Sequence, residues 1–273
     1  MSAVLLTAAT AQASGLVLDV MTYNVRWDGL DTGRNAWENR RPVVIDLLKT
    51  YSPDVCGLQE PSAAQTRDLD QGLRDYHYYM GDHARDETIP ILYKATRFTL
   101  VDAGSFWLVD QSDLSGGTRR CVWVRLEEKS SGRAFYAYNC HLDHRAPDSR
   151  LQSAQVMIRT IAARGHPDPF VITGDFNERE QGKAIHFLSG ERDLVDSRER
   201  YPDIIPVDTF RFLHAPGENQ GTGHGFKGGK NGGRIDYVWA SEGARILESQ
   251  VITYNQDGFY PSDHFPVLTR LEF

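Results

Sequence analysis

Polar residues standing at the ends of apolar stretches carry the chemistry in this sequence. Asn24 closes Thr22-Tyr23-Asn24, Glu60 follows Leu58-Gln59, and His141 lies in Asn139-Cys140-His141-Leu142-Asp143-His144. Asp175 and Asn177 fall in Gly174-Asp175-Phe176-Asn177, Asp236 in Arg234-Ile235-Asp236-Tyr237, and Asp263 and His264 in Ser262-Asp263-His264-Phe265-Pro266. A set of oxygen donors with few imidazoles and no sulfur suits a hard divalent cation such as Mg2+ or Mn2+. Histidines that stay off the metal can contact phosphate oxygens, and a carboxylate beside a histidine supports its charged form. An aspartate can orient and deprotonate water. An amide can donate to a developing oxyanion. Gathered in one place, these groups would hydrolyse a phosphoester with the help of a metal ion.

Such a gathering requires elements that deliver all these ends to one edge. Strand patterns run over residues 16–25, 55–58, 91–93, 98–109, 121–126, 135–142, 170–173, 235–239, 249–254 and 266–271. Helical spacing covers 38–51, where Val44, Leu47 and Leu48 share a face. Ser62 is placed to cap a helix to about Leu73, Asp148 to cap one to about Ala163, and a further helix spans about 182–188. Ser130-Ser131-Gly132 marks a hairpin turn. Hairpins interleaved with strand–helix units predict a four-layered α/β sandwich, with two mixed, mostly antiparallel sheets face to face and helices outside.

The sums exclude several classes. A chain of 273 residues can bury a large core, and 40% hydrophobic with 25% charged residues is an ordinary globular composition. No apolar run is long enough to span a bilayer as a helix. The net charge of −7 argues against coating a nucleic acid duplex by bulk charge. Cys56, Cys121 and Cys140 lack metal-type spacing and read as buried thiols. Residues 4–10 followed by Ala11-Gln12-Ala13 read as the remnant of a secretory signal over 1–13, implying a periplasmic or secreted protein. A frayed tail on a cytoplasmic protein is the other reading. Residues 14–273 then form one domain.

In order, Thr-Tyr-Asn, Leu-Gln-Glu, Asn-Cys-His-Leu-Asp-His, Gly-Asp-Phe-Asn, Arg-Ile-Asp-Tyr and Ser-Asp-His-Phe-Pro resemble the endonuclease/exonuclease/phosphatase superfamily. The resemblance implies a metal site of Glu60 with Asn24 and Asp263. It implies that His141 and His264 hold the scissile phosphate, that Asp236 pairs with His264, and that Asp175 aligns the attacking water with Asn177 beside it. Some apurinic endonucleases carry an acidic metal ligand two residues after the asparagine. Here that position is Arg26, which suits substrate phosphate and makes a two-metal site less expected.

Arg120 and Arg150 are further phosphate candidates, with surface ion pairs the alternative. Asp143 and His144 read equally as support for the site or as polar residues at a strand exit. The glycine-rich segment 217–233 precedes Arg234 and should border the site. Trp27, Trp37 and Trp107 are assigned to core packing, with a substrate cleft as the alternative. The function read from all this is a Mg2+-dependent phosphodiesterase or phosphatase acting by in-line attack of water. The alternatives are a nuclease acting on DNA or RNA, and a non-catalytic module that binds phosphorylated ligands or a protein. The partner implied is a phosphoester substrate, with nucleic acid included; no partner protein is implied.

Overall fold

The computed structural model describes residues 15–81, 88–109, 119–191, 204–217 and 220–273. Residues 1–13, read above as a signal remnant, lie outside these. Among the described residues the strands form two six-stranded sheets. The first holds β1 (Val17–Asn24), β2 (Val55–Gln59), β3 (Tyr76–Tyr79), β4 (Ile91–Lys94), β11 (Arg245–Val251) and β12 (Val267–Glu272), in the order β11-β12-β1-β2-β4-β3. The second holds β5 (Phe98–Trp107), β6 (Arg120–Glu128), β7 (Ala134–His141), β8 (Phe170–Asp175), β9 (Val207–Asp208) and β10 (Asp236–Ala240), in the order β5-β6-β7-β8-β10-β9.

Each sheet has one parallel pair, β1 with β2 and β7 with β8, in an otherwise antiparallel order. The chain re-enters each parallel pair through a helix, α1 (Trp37–Tyr51) in the first sheet and α3 (Pro147–Ala162) in the second. These helices, with α2 (Ala63–Gly72) and α4 (Lys183–Leu188), cover the outer faces. A cluster including Leu18, Val20, Val124, Phe135, Val171 and Val238 fills the space between the sheets. This is the expected four-layered sandwich.

The parallel pairs decide where function sits. Register sets Asn24 beside Gln59 at the ends of β1 and β2, and His141 beside Asp175 at the ends of β7 and β8. The antiparallel β10 begins at Asp236 opposite Asp175, and β12 begins three residues after His264. Strand ends from both sheets therefore meet at one edge of the sandwich.

A buried polar network ties the sheets together below that edge. Gln59 Nε2 donates to Asn139 Oδ1 at 2.7 Å and to Thr22 Oγ1 at 3.1 Å. Asn139 in turn donates to the carbonyls of Leu58, Ile89 and Pro90. Gly57 makes this approach possible, since a Cβ there would fall 2.0 Å from Thr173 Oγ1 and 2.5 Å from Asn139 Oδ1. The side-chain amides of Gln59 and Asn139 thus have partners within this network.

Local signals explain most element ends. Ser62 accepts from Gln65 N while the Gln65 side chain accepts from Ser62 N, a reciprocal cap at the start of α2. Gly132 at φ +71° closes the β6–β7 hairpin. At α3 the cap is Ala146 rather than Asp148, because Pro147 occupies the first helical position. Asp148 lies in the first turn, where its charge still complements the helix dipole. The four-residue β3, the two-residue β9 and the five-residue α5 (Thr209–Leu213) were not expected, being too short to show a periodicity. The three cysteines are buried free thiols, and burial pushes each of them up from its ordinary pKa. Trp37 is buried and Trp107 half-buried, but Trp27 is exposed, which corrects its assignment to the core. No helix among the described residues is long and apolar enough to cross a membrane.

Candidate active site

Asp175 is the centre on which the strand ends converge. Its Oδ2 accepts from Asn24 Nδ2 at 3.0 Å, and its Oδ1 accepts from Asn177 N at 2.8 Å. His141 Nε2 stands 3.7 Å and His264 Nδ1 3.8 Å from Oδ2. His264 Nδ1 also meets Asp236 Oδ2 at 2.9 Å, and Asn177 Nδ2 meets His141 Nε2 at 2.9 Å. Glu60 joins through Asn24, whose Nδ2 donates to Glu60 Oε1 at 2.8 Å. All eleven sequence candidates are among the described residues, and Asn24, Glu60, His141, Asp175, Asn177, Asp236 and His264 form this one connected group.

The electrostatics follow from burial and neighbours. Burial raises the Asp175 carboxyl, the Asp236 carboxylate raises it further, and the two histidines pull it partly back. Burial alone would strip the proton from His264, but Asp236 and Asp175 reverse this and hold its pKa well above the ordinary value. The pair of carboxylates therefore favours the charged form of this imidazole, with Nδ1 facing Asp236 Oδ2.

Three residues here hold left-handed backbone, Arg26 at φ 62°, Glu60 at φ 69° and Asn177 at φ 49°. Such conformations cost about 1–3 kcal/mol each and persist only where the surroundings over-determine them. For Glu60 the surroundings are Asn24 Nδ2 on Oε1 and Trp27 N on Oε2 at 3.0 Å.

Among the described residues, ligand atoms of Glu60, His141 and Asp175 lie within 4.8 Å of one another, as do those of Asp175, Asp236 and His264. Carboxylate oxygens dominate both groups, and Asp236 Oδ1 is buried without a hydrogen-bond partner. This donor chemistry fits a hard divalent cation near Glu60. The other two residues expected at the metal, Asn24 and Asp263, have other partners here. Asn24 directs its amide nitrogen at the two carboxylates, because its Oδ1 accepts from Arg26 N at 2.9 Å, so it bridges the acids instead of offering them an oxygen ligand. Asp263 falls outside both groups, and Arg26 Nη1 reaches its Oδ2 at 3.3 Å. Burial nonetheless raises the Asp263 carboxyl against the pull of His264 and Arg26.

The arginines divide. Arg26 stands in the site, braced between Asp31 and Asp263. Arg150 is instead a brace, with Nε on Glu178 Oε2 at 2.8 Å and Nη1 on the Asp143 carbonyl at 2.9 Å. Those bonds fasten the segments that follow Asn177 and His141, so its expected phosphate role is replaced by a positioning one. Arg120 lies over the Trp107 ring and donates to Ser105 Oγ, one residue before Cys121, which pairs with Cys140 beside His141. Asp143 accepts from the backbone N–H of Arg145 and Ala146, which makes it a turn residue. Burial raises its carboxyl, but those two bonds win and it lies below its ordinary value. His144 sits between Arg119 Nη2 and Arg145 Nε.

Several positioning residues escaped the sequence reading. Arg40, fully buried in α1, donates to the carbonyls of Val25, Arg26, Asn35 and Pro261, pinning the segments that carry Arg26 and Asp263. Its position on the same helical face as Val44 and Leu48 was the available signal, a charge where the stripe calls for an apolar residue. Thr222 Oγ1 accepts from Ile235 N and Asp236 N, while His224 N and Gly225 N donate to the Asp263 carbonyl. The glycine-rich segment therefore borders the site as expected.

Arg234, nearly buried, clamps Glu180 and Asp208 and lies over the Tyr237 ring at 4.2 Å, which orients the start of β10. Burial raises the Glu180 carboxyl, but Arg211 and Arg234 more than reverse it, leaving it below its ordinary value. A depressed carboxylate stabilises the fold above its unfolded pKa of about 4.3 and loses that contribution as pH falls through the folded value. Glu180→Gln is expected to lower the urea midpoint at pH 7, and the gap to wild type is expected to narrow below about pH 4. An equal gap at both pH values would show that the ion pairs do not set it.

The fold and this site define a sandwich of the metal-assisted phosphoester type, and the chain belongs to the Endonuclease/Exonuclease/phosphatase family, whose pattern matches residues 21–264. An endonuclease/exonuclease/phosphatase family protein from Bacteroides thetaiotaomicron is similar at 26% identity and TM-score 0.81, over 95% of this chain and 98% of that one. A mannosyl-6-phosphatase from Bacteroides thetaiotaomicron VPI-5482 is similar at 25% identity and TM-score 0.77, over 94% of this chain and 100% of that one. Homo sapiens Nocturnin is 24% identical over 295 residues, which cover 93% of this chain and 65% of that protein. The chain thus spans about two thirds of the length of this curated relative, and for Drosophila melanogaster Protein angel the share is 49%.

Proposed function

We propose that this chain is a divalent-metal-dependent phosphoesterase that uses Mg2+ or Mn2+ and hydrolyses its ester by in-line attack of water. The observation that carries this reading is the meeting of Asn24, His141, Asn177, Asp236 and His264 around the buried Asp175 carboxylate. Glu60 would be the principal ligand of such an ion in this reading. A metal held there would supply Lewis acidity against the charge that develops on the leaving oxygen.

The chain's own groups do the rest. Asp175 orients a water and takes its proton as the water oxygen bonds to phosphorus and the bond from phosphorus to the leaving oxygen breaks. Its raised carboxyl makes it a better base than an ordinary aspartate. His264, kept charged by Asp236, and His141 hold the non-bridging oxygens, and Asn177 Nδ2 donates to the charge that develops there. Arg26 adds a guanidinium at the mouth, with Asp31 and Asp263 keeping it in place.

The substrate class favoured is a small phosphoester rather than a nucleic acid duplex. The net charge of −7 supports this, as does the full-length likeness to a mannosyl-6-phosphatase. The nuclease reading draws its support from a relative named RNA exonuclease in Saccharomyces cerevisiae, at 24% identity. A screen with Mg2+ or Mn2+ tests both: p-nitrophenyl phosphate, bis-p-nitrophenyl phosphate, hexose phosphates, nucleotides, single-stranded RNA and abasic duplex DNA. Turnover of small esters that stops with EDTA is the expected result. Cleavage confined to RNA or DNA would replace the small-ester reading, and inertness toward every ester would replace catalysis with binding.

A further inference from the structure

The loop after β1 is held on every side, yet it presents an aromatic ring to solvent. Arg26 O accepts from Arg40 Nη2 at 3.0 Å and Gln65 Nε2 at 2.9 Å. Trp27 N donates to Glu60 Oε2 at 3.0 Å, and Asp28 N donates to Gln65 Oε1 at 3.1 Å. Ser62 Oγ donates to Asp28 Oδ2, and the Arg26 side chain closes the loop onto Asp31. These bonds pin the backbone and leave the side chains of Trp27 and Leu30, 37% and 53% exposed, out of the core. The indole rests on Gly29, where a Cβ would stand 2.8 Å from its Cζ2 and Cη2 atoms.

An exposed indole adds little to folding, and a large aromatic ring is ordinarily used for the area it buries. Here the ring stands on a loop whose backbone is pinned, and the backbone N–H of the same residue donates to Glu60, the carboxylate assigned to the metal. A ring held this way loses little freedom when a ligand stacks on it. We propose that Trp27 is a specificity-determining platform that stacks the ring of the ester's organic group, so that the substrate is a ring-bearing phosphoester. A nucleobase and the apolar face of a pyranose are the two sources of such a ring. The proposal rests on the phosphoesterase reading of the neighbouring site, but its test measures binding rather than turnover.

Calorimetry with 5′-AMP, mannose 6-phosphate and inorganic phosphate, with and without Mg2+, tests it on wild type, Trp27→Ala, Trp27→Phe and Gly29→Ala. At least one ring-bearing ligand is expected to bind wild type more tightly than inorganic phosphate does. Trp27→Ala is expected to weaken that ligand roughly 5- to 150-fold, the range for loss of one stacked ring, and to leave inorganic phosphate unchanged. Trp27→Phe should keep most of the affinity. Gly29→Ala, which displaces the indole without removing it, should lose part of it. A preference for 5′-AMP assigns a base, and a preference for mannose 6-phosphate a sugar.

Equal weakening of inorganic phosphate and ring ligand in Trp27→Ala would reduce Trp27 to a structural support for Glu60 and overturn the proposal. So would ring ligands that bind wild type no better than inorganic phosphate. Trp27-dependent ring binding in a protein inert toward every ester would instead sink the catalytic reading and leave the platform standing.

Discussion

Asp175→Asn is expected to lower kcat by about 10^2- to 10^4-fold, the range for removing a positioned general base. The carboxylate is fully buried; Asn177 N, two residues on, bonds Oδ1, and distant segments bring Asn24 to Oδ2 and the two imidazoles to 3.7 and 3.8 Å. Those imidazole distances exceed a hydrogen bond, and the histidines are held instead by Asp236 and Asn177 at 2.9 Å each. The asparagine keeps Oδ1 for Asn177 N but cannot take a proton from water. Its new amide nitrogen faces the donor Asn24 Nδ2, an unfavourable pairing that is expected to cost about 1–3 kcal/mol of stability. Urea unfolding and circular dichroism on the same preparation separate that loss from the kinetic one. A folded Asp175→Asn protein with kcat within tenfold of wild type would remove Asp175 from the reaction.

Glu60→Gln is expected to act on the metal rather than on the water. Glu60 is bonded through both oxygens, to Asn24 Nδ2 and Trp27 N, and belongs to the group with His141 and Asp175 that a hard cation fits. The amide has one oxygen and no charge, so it satisfies one of those two donors and binds a hard cation weakly. A ligand that binds only the folded protein stabilises it, by about 2.7 kcal/mol when present at 100 times its Kd. Wild type should therefore melt higher with Mg2+ or Mn2+ than with EDTA, and Glu60→Gln should lose most of that difference along with its turnover. An unchanged metal-dependent shift in Glu60→Gln would place the ion elsewhere.

The site was legible because its residues end strands. A buried strand reads as an apolar run, and a carboxylate or imidazole at its last position stands out against that run. His141 and Asp175 were visible in this way, as were Asn24 at the end of β1 and Glu60 just past β2, while Asp236 opens β10 and His264 precedes β12; their order along the chain carried the family resemblance. Arg40 was harder, since its helix reads as amphipathic and one buried arginine among apolar neighbours is easily passed over as surface. The short β3, β9 and α5 offered no periodicity at all.

What the order of residues determined by itself was the longer elements, the layered fold class and the residue types available at the strand ends, because these follow from local propensity and apolar spacing. Which atoms face one another was decided only by the tertiary structure. Asn24 turns its nitrogen to the acids because Arg26 N claims its oxygen, and Arg150 is spent on Glu178 and the Asp143 carbonyl. Asp263 answers to Arg26, and Trp27 is left in solvent by a loop bonded on all sides. The physical reason is the reach of the interactions: propensity and periodicity act within one or two turns of chain, whereas Arg150 and Glu178 stand 28 positions apart, Trp27 and Glu60 33, and Arg26 and Asp263 237, and such pairs meet only once the chain has folded back on itself.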